Sequence, residues 1–169
     1  MKITVEYEGQ PIVVDIPDET LKQIANSQKK KTGWEKPQHG DYYWFIDHEG
    51  LVHAAVWGDY LLDQDRYDHG NSFSSNELAE NLVRYRTLDA RIRRRIAEIC
   101  EPVDWKNHSQ TEFTISYDYV DNMCCITSLS YIRKGQWFCD TREHAEQIIE
   151  EFKDELTWCF TEFKDRMDG

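Results

Sequence analysis

Six histidines, five cysteines and a run of aspartates are the side chains here whose types could support catalysis or metal binding. Asp59, Asp63, Asp65 and Asp68 crowd one short stretch. A calcium loop needs alternating oxygen ligands, a glycine at its sharp turn and a terminal Glu. Here Asp63-x-Asp65 is followed by Tyr67, and the required glycine and Glu are absent. Residues 58–72 are therefore read as a solvated acidic surface loop, not a cation site. His39, His48, His53, His69, His108 and His144 form no His-x-x-x-His pair, and none stands beside a cysteine at ligand spacing. Cys100, Cys124, Cys125, Cys139 and Cys159 are odd in number and contain no C-x-x-C. They are read as reduced, mostly buried thiols. No partnered nucleophile and no phosphate-binding glycine loop is legible. The sequence thus predicts a protein that is not an enzyme, with no cofactor and no metal.

Charge points to binding. Acidic side chains number 32 against 20 basic ones, for a net charge of -12. Such a surface repels nucleic-acid backbones and anionic membranes and attracts basic proteins. The last predicted helix carries Glu151, Asp154, Glu155, Glu162 and Asp165 away from its apolar stripe. Trp158 lies among them, about 140° or more from that stripe on a regular helix. An aromatic ringed by charge has the character of an interface anchor. Trp158, Glu151, Asp154, Glu155, Glu162 and Asp165, with Asp59, Asp63, Asp65 and Asp68, are the expected partner-binding residues. The alternative left open is that another element of the same chain covers Trp158. On the middle helix Arg84, Arg91 and Arg95 share a stripe. Because the overall field repels phosphate, they are expected to meet carboxylates of the acidic helix or to lie over the core edge.

These side chains need elements to hold them. Ile3, Val5 and Tyr7 alternate, and Ile12–Ile16 follow a turn, which predicts a hairpin. Asp18 then caps a short helix that ends near Lys29–Lys31. Strands are predicted at residues 42–47 and 51–57, joined at His48-Glu49-Gly50. Ser74 and Glu77 have capping-box spacing before Leu78, Leu82, Tyr85, Ile92, Ile96 and Ile99. After a linker, strands at 113–120 and 123–132 precede a helix capped by Asp140, with an apolar stripe from Ala145 to Met167.

The expected fold is α+β: a mostly antiparallel sheet built from hairpins, with two long amphipathic helices and one shorter helix packed on it. Three segments are expected within one compact domain: residues 1–33, 34–101 and 102–169. The last two share a strand–strand–helix plan. Gly70-x-x-Phe73 aligns with Gly135-x-x-Phe138, which suggests an internal repeat; independent hairpin-plus-helix units with similar caps read the same way. No apolar run reaches transmembrane length, and the MKITVEYEGQ start lacks a signal peptide's apolar core. The expected location is cytoplasmic.

The pattern Trp34-x-x-Pro37-x-x-Gly40, Tyr43, Gly50, Val52, Trp57, Asp65-Arg66, Gly70-Asn71-x-Phe73 and Ala79-Glu80 resembles that of small phage and prophage accessory proteins. It spans residues 34–80, and Ser74-Ser75 replaces the more usual Thr-x-Glu-Glu opening. No catalytic role comes with that family. The resemblance implies a phage-encoded accessory protein, and by analogy an anti-defence factor similar to anti-CRISPR proteins. The expected function is stoichiometric inhibition of a host nucleic-acid-binding protein, such as an RNA-guided nuclease, through an acidic surface containing aromatics. Neither nucleic acid nor membrane is an expected direct partner. A phage structural or assembly role, with homodimer contacts through the acidic face, is the alternative. A metal-dependent hydrolase at the Asp/His-rich loop is a third reading.

Overall fold

The computed structural model describes residues 2–7, 10–20, 32–102, 111–129 and 137–165. The chain divides into two compact units, Met1–Thr32 and Gly33–Met167. In the first, β1 (Lys2–Tyr7) and β2 (Gln10–Asp15) pair antiparallel from Lys2↔Asp15 to Tyr7↔Gln10. The expected helix after Pro17 is described only over residues 18–20.

The second unit begins with the hairpin β3 (Tyr42–Ile46) and β4 (Val52–Val56), in register from Tyr42↔Val56 to Ile46↔Val52. Its turn is tied by Asp47, whose Oδ1 accepts from the Glu49 and Leu51 amides at 2.9 Å each. The period of two sends the hairpin's residues to two different neighbours. Trp44, Ile46 and Val52 pack toward Phe73, Leu78, Ala79 and Leu82. Tyr43, on the other face, is fully buried 5.7 Å from the Trp57 ring.

The stretch expected as an acidic loop is in fact a helix, α1 (Leu61–Asp68). Turn-forming aspartates do not prevent this, because Asp63 caps the helix from within. Its Oδ2 accepts from the amide of the cap residue Tyr60 at 3.2 Å and from that of Gly58 in the preceding turn at 2.9 Å. Gly70, at φ 64°, ends the element in a conformation that favours glycine.

Helix α2 (Asn76–Ile99) is about 36 Å long at 1.5 Å per residue. Its cap is Ser75 rather than Ser74: the Ser75 hydroxyl accepts from the Leu78 amide at 3.1 Å. Two cores share this helix. Leu78, Ala79 and Leu82 serve the β3–β4 side, while Leu88 and Ile92 join Ile115, Trp137, Cys139, Ala145, Ile148, Phe152 and Leu156.

The second sheet of this unit has the order β6-β5-β7, from β5 (Glu112–Asp118), β6 (Met123–Leu129) and β7 (Phe138–Cys139). All strand pairs among the described residues are antiparallel, so the fold is α+β, but the strands form three small sheets rather than one. Phe73 bridges back to Trp44 on β3, and Phe138 pairs with Thr114 on β5. In both sections, therefore, the aromatic residue after the hairpin returns to the hairpin's first strand.

The last helix is not continuous. It comprises α3 (Arg142–Glu151), capped by Thr141 rather than Asp140, and α4 (Lys153–Thr161). Phe152 between them has φ -114° and ψ 22°, outside the helical range. It is buried in the core shared with α2. No helix among the described residues is long and apolar enough to cross a membrane.

Candidate functional site

Helix α4 does not present Trp158 to solvent as a single regular helix predicts. The indole is 6% exposed. Two features cover it. On the α2 side, the Arg84 guanidinium lies over the ring. On the other, α4 stops at Thr161, and the Glu162 and Phe163 amides both donate to the Trp158 carbonyl, turning the chain back. Phe163 then packs 5.7 Å from Trp158 and stacks on Tyr85 at 4.5 Å. The tryptophan belongs to the interior, and the exposed anchor expected at that position is corrected.

The carboxylates around it also find partners on α2. Arg91 bonds Glu155 at 2.8 Å, and Arg95 bonds Glu151 at 2.8 Å. The arginine stripe thus meets the acidic helix, as its position opposite that helix suggests. Both pairs stay partly open to solvent, so each contributes little. Between the helices runs a groove of about 300 Å³, walled by Arg84, Arg91, Glu155 and Trp158. Asp154, Glu162 and Asp165 are exposed; the Asp165 carbonyl accepts from the Trp34 indole at 2.6 Å.

The acidic cluster near α1 separates into two kinds of residue. Asp63 is 5% exposed, so it is corrected from a surface ligand to a buried structural acid. Its Oδ1 accepts from the Tyr43 hydroxyl at 2.8 Å, and that hydroxyl accepts from Arg66 at 2.7 Å. Burial pushes the Asp63 carboxyl up, but the Gly58 amide, the Tyr43 hydroxyl and the Tyr60 amide together hold it below its usual value. The Arg66 guanidinium also sits 3.5 Å from the Phe45 ring centroid. Asp59, Asp65 and Asp68 are exposed. The Trp57 indole donates to Asp59 at 2.6 Å and lowers its carboxyl, with His39 on the other oxygen at 3.1 Å.

Between these acids lies a feature that hydropathy patterning missed. Tyr60, Leu61 and Leu62 are 72%, 79% and 58% exposed in succession. Tyr42 and Val56, paired across the hairpin, are exposed as well. The only available signal was the apolar triplet itself, which a loop reading treated as incidental. Many residues of the Trp34–Glu80 sequence pattern are structural here: Tyr43, Trp57, Phe73 and Ala79 are at most 1% exposed. The Asn71 side chain bonds both the amide and the carbonyl of Ile46, at 2.8 and 2.7 Å.

Among the described residues, one group could hold a metal. The ligand atoms of Cys100, Asp140 and His144 lie within 4.8 Å of one another. The sequence separates Cys100 from the other two by some forty positions, which hid the cluster; Asp140-x-x-x-His144 at a helix start was its only local signal.

An α+β scaffold with an acidic, apolar-tipped helix is the class that the fold and surface define. Comparison with known proteins found no matching family model, no matching curated protein and no matching solved structure.

Proposed function

We propose that this protein is a stoichiometric protein-binding inhibitor that docks through the α1 surface. The observation that carries this reading is the exposure of Tyr60, Leu61 and Leu62 at 72%, 79% and 58%, beside the exposed acids Asp59, Asp65 and Asp68. Successive large apolar side chains in water are a usual mark of a binding surface. Aromatic and aliphatic anchors supply affinity, and surrounding carboxylates steer a basic partner. The partner so described carries a basic face of the kind that holds nucleic acid. The net charge of -12 favours that encounter and disfavours direct binding to nucleic acid. The phage-like pattern at residues 34–80 extends the proposal to an anti-defence protein acting on a host RNA-guided nuclease.

The test is affinity capture from a bacterial host lysate with wild-type chain and with the Tyr60→Ala/Leu61→Asp variant. The reading expects capture of a nucleic-acid-binding protein that the variant loses, that added salt weakens and that competing nucleic acid prevents. Capture unchanged by the variant would remove α1 from the interface. If sizing instead shows a dimer that Leu61→Asp splits, the surface serves self-assembly and the inhibitor reading fails.

A further inference from the structure

The end of α2, the end of β7 and the start of α3 bring a polar cluster together on the edge of the second core. Helix α2 stops at Ile99, and Cys100 turns to an extended conformation with φ -100° and ψ 146°. This carries the Glu101 amide to Asp140 Oδ2 at 2.9 Å. Asp140 lies just before the Thr141 cap of α3, one helical turn from His144, and its Oδ1 meets His144 Nδ1 at 2.6 Å. Burial pushes the Asp140 carboxyl up, yet His144, the Glu101 amide and the Cys100 thiol outweigh it and bring it down to about 2.

These contacts alone describe a polar staple joining two helix ends. Glu112 does not fit that description. It is 2% exposed, and neither carboxylate oxygen has a hydrogen-bond partner. Glu112 opens β5 one residue before the Phe113↔Cys139 and Thr114↔Phe138 pairs, and Asp140 follows directly on β7. Burial, and then the charge of Asp140, raises the Glu112 carboxyl. A buried carboxyl group without any donor is unfavourable unless a proton or a cation neutralises it. A metal ion bound at the cluster would be such a cation.

We propose that Cys100, Asp140 and His144, whose ligand atoms already lie together, form a site for a divalent transition metal of the zinc class, and that the unpartnered Glu112 carboxylate turns to it as fourth ligand. The donor set decides the class. One thiolate and one imidazole disfavour calcium and magnesium, which take oxygen ligands, and four mixed S, N and O donors suit tetrahedral zinc. Binding releases the Cys100 thiol proton to solvent and leaves the imidazole neutral. A metal there cross-links α2, β5 and the β7–α3 junction. This site is remote in sequence from α1 and does not rest on the inhibitor reading.

The test titrates Co²⁺, a spectroscopic substitute for zinc, into the metal-free full chain under reductant. The expected result is a thiolate-to-cobalt charge-transfer band that saturates at one equivalent and is bleached by Zn²⁺. Cys100→Ser should abolish the band. His144→Ala should weaken binding by at least about tenfold, the least that losing even a group supporting a ligand costs. Glu112→Gln should weaken binding while keeping the band, and Cys125→Ser should change nothing. No band in wild-type chain, or a band that survives Cys100→Ser or disappears with Cys125→Ser, overturns the proposal. If Cys100→Ser does not fold, the wild-type melting temperature decides: it should rise by several degrees in Zn²⁺ relative to EDTA, and an unchanged value overturns the site.

Discussion

The guanidinium carbon of Arg84 lies 3.8 Å from the centroid of the Trp158 ring. That contact closes the α2 side of an indole that helical geometry alone would leave in water. Trp158→Ala should therefore destabilise the protein by about 3–5 kcal/mol, the range for truncating a buried aromatic. Arg84→Ala should cost only about 0.5–2 kcal/mol, because a cation on a ring contributes less than the ring's burial. Urea melts of both variants check the order. A Trp158→Ala variant as stable as wild type would return the residue to the surface.

Arg91–Glu155 and Arg95–Glu151 form good bonds in a partly solvated setting. Double-mutant cycles should give Arg91–Glu155 a coupling below about 1 kcal/mol and Arg95–Glu151 only a small one, both diminished further by salt. A coupling of several kcal/mol would mean that the α2–α4 groove is far drier than its exposure indicates.

Asp63 should govern acid sensitivity around α1. Its folded carboxyl titrates below its unfolded value, so its contribution is present above about pH 4 and is lost as pH falls through the folded value. Asp63→Ala removes acceptors from Tyr43, Gly58 and Tyr60 and should cost about 2–3 kcal/mol at neutral pH. The gap from wild type should narrow as pH drops below about 4. Denaturation curves across pH measure it, and a gap that widens in acid reverses the sign argued here.

Leu61 is the opposite case. At 79% exposure it contributes little to folding. Leu61→Asp should shift stability by no more than about 0.5 kcal/mol. A larger loss in thermal melts would show that α1 is seated against something else and is not a free surface.

Hairpins and helices were legible in the sequence because period 2 and period 3.6 are local properties. Trp44, Ile46 and Val52 alternate toward one core, and Leu78, Leu82 and Ile92 recur on one helical face, whatever the chain does elsewhere. The Ser75 and Thr141 caps fell one residue beyond the expected ones, since neighbouring polar residues compete for the same amides. Helix α1 was misread because its cap comes from Asp63 inside the helix, which also needs Tyr43 from a distant strand.

Tertiary structure alone decided what the charged and aromatic residues do. Trp158 is interior because α2 and the returning Phe163 close over it, and a helical wheel contains neither. The break at Phe152 follows from the core that the residue enters. Cys100 meets Asp140 and His144 because the end of a 24-residue helix arrives beside the start of another. Local periodicity tells which face of an element is apolar; which neighbour covers the other face depends on contacts between residues far apart in the chain.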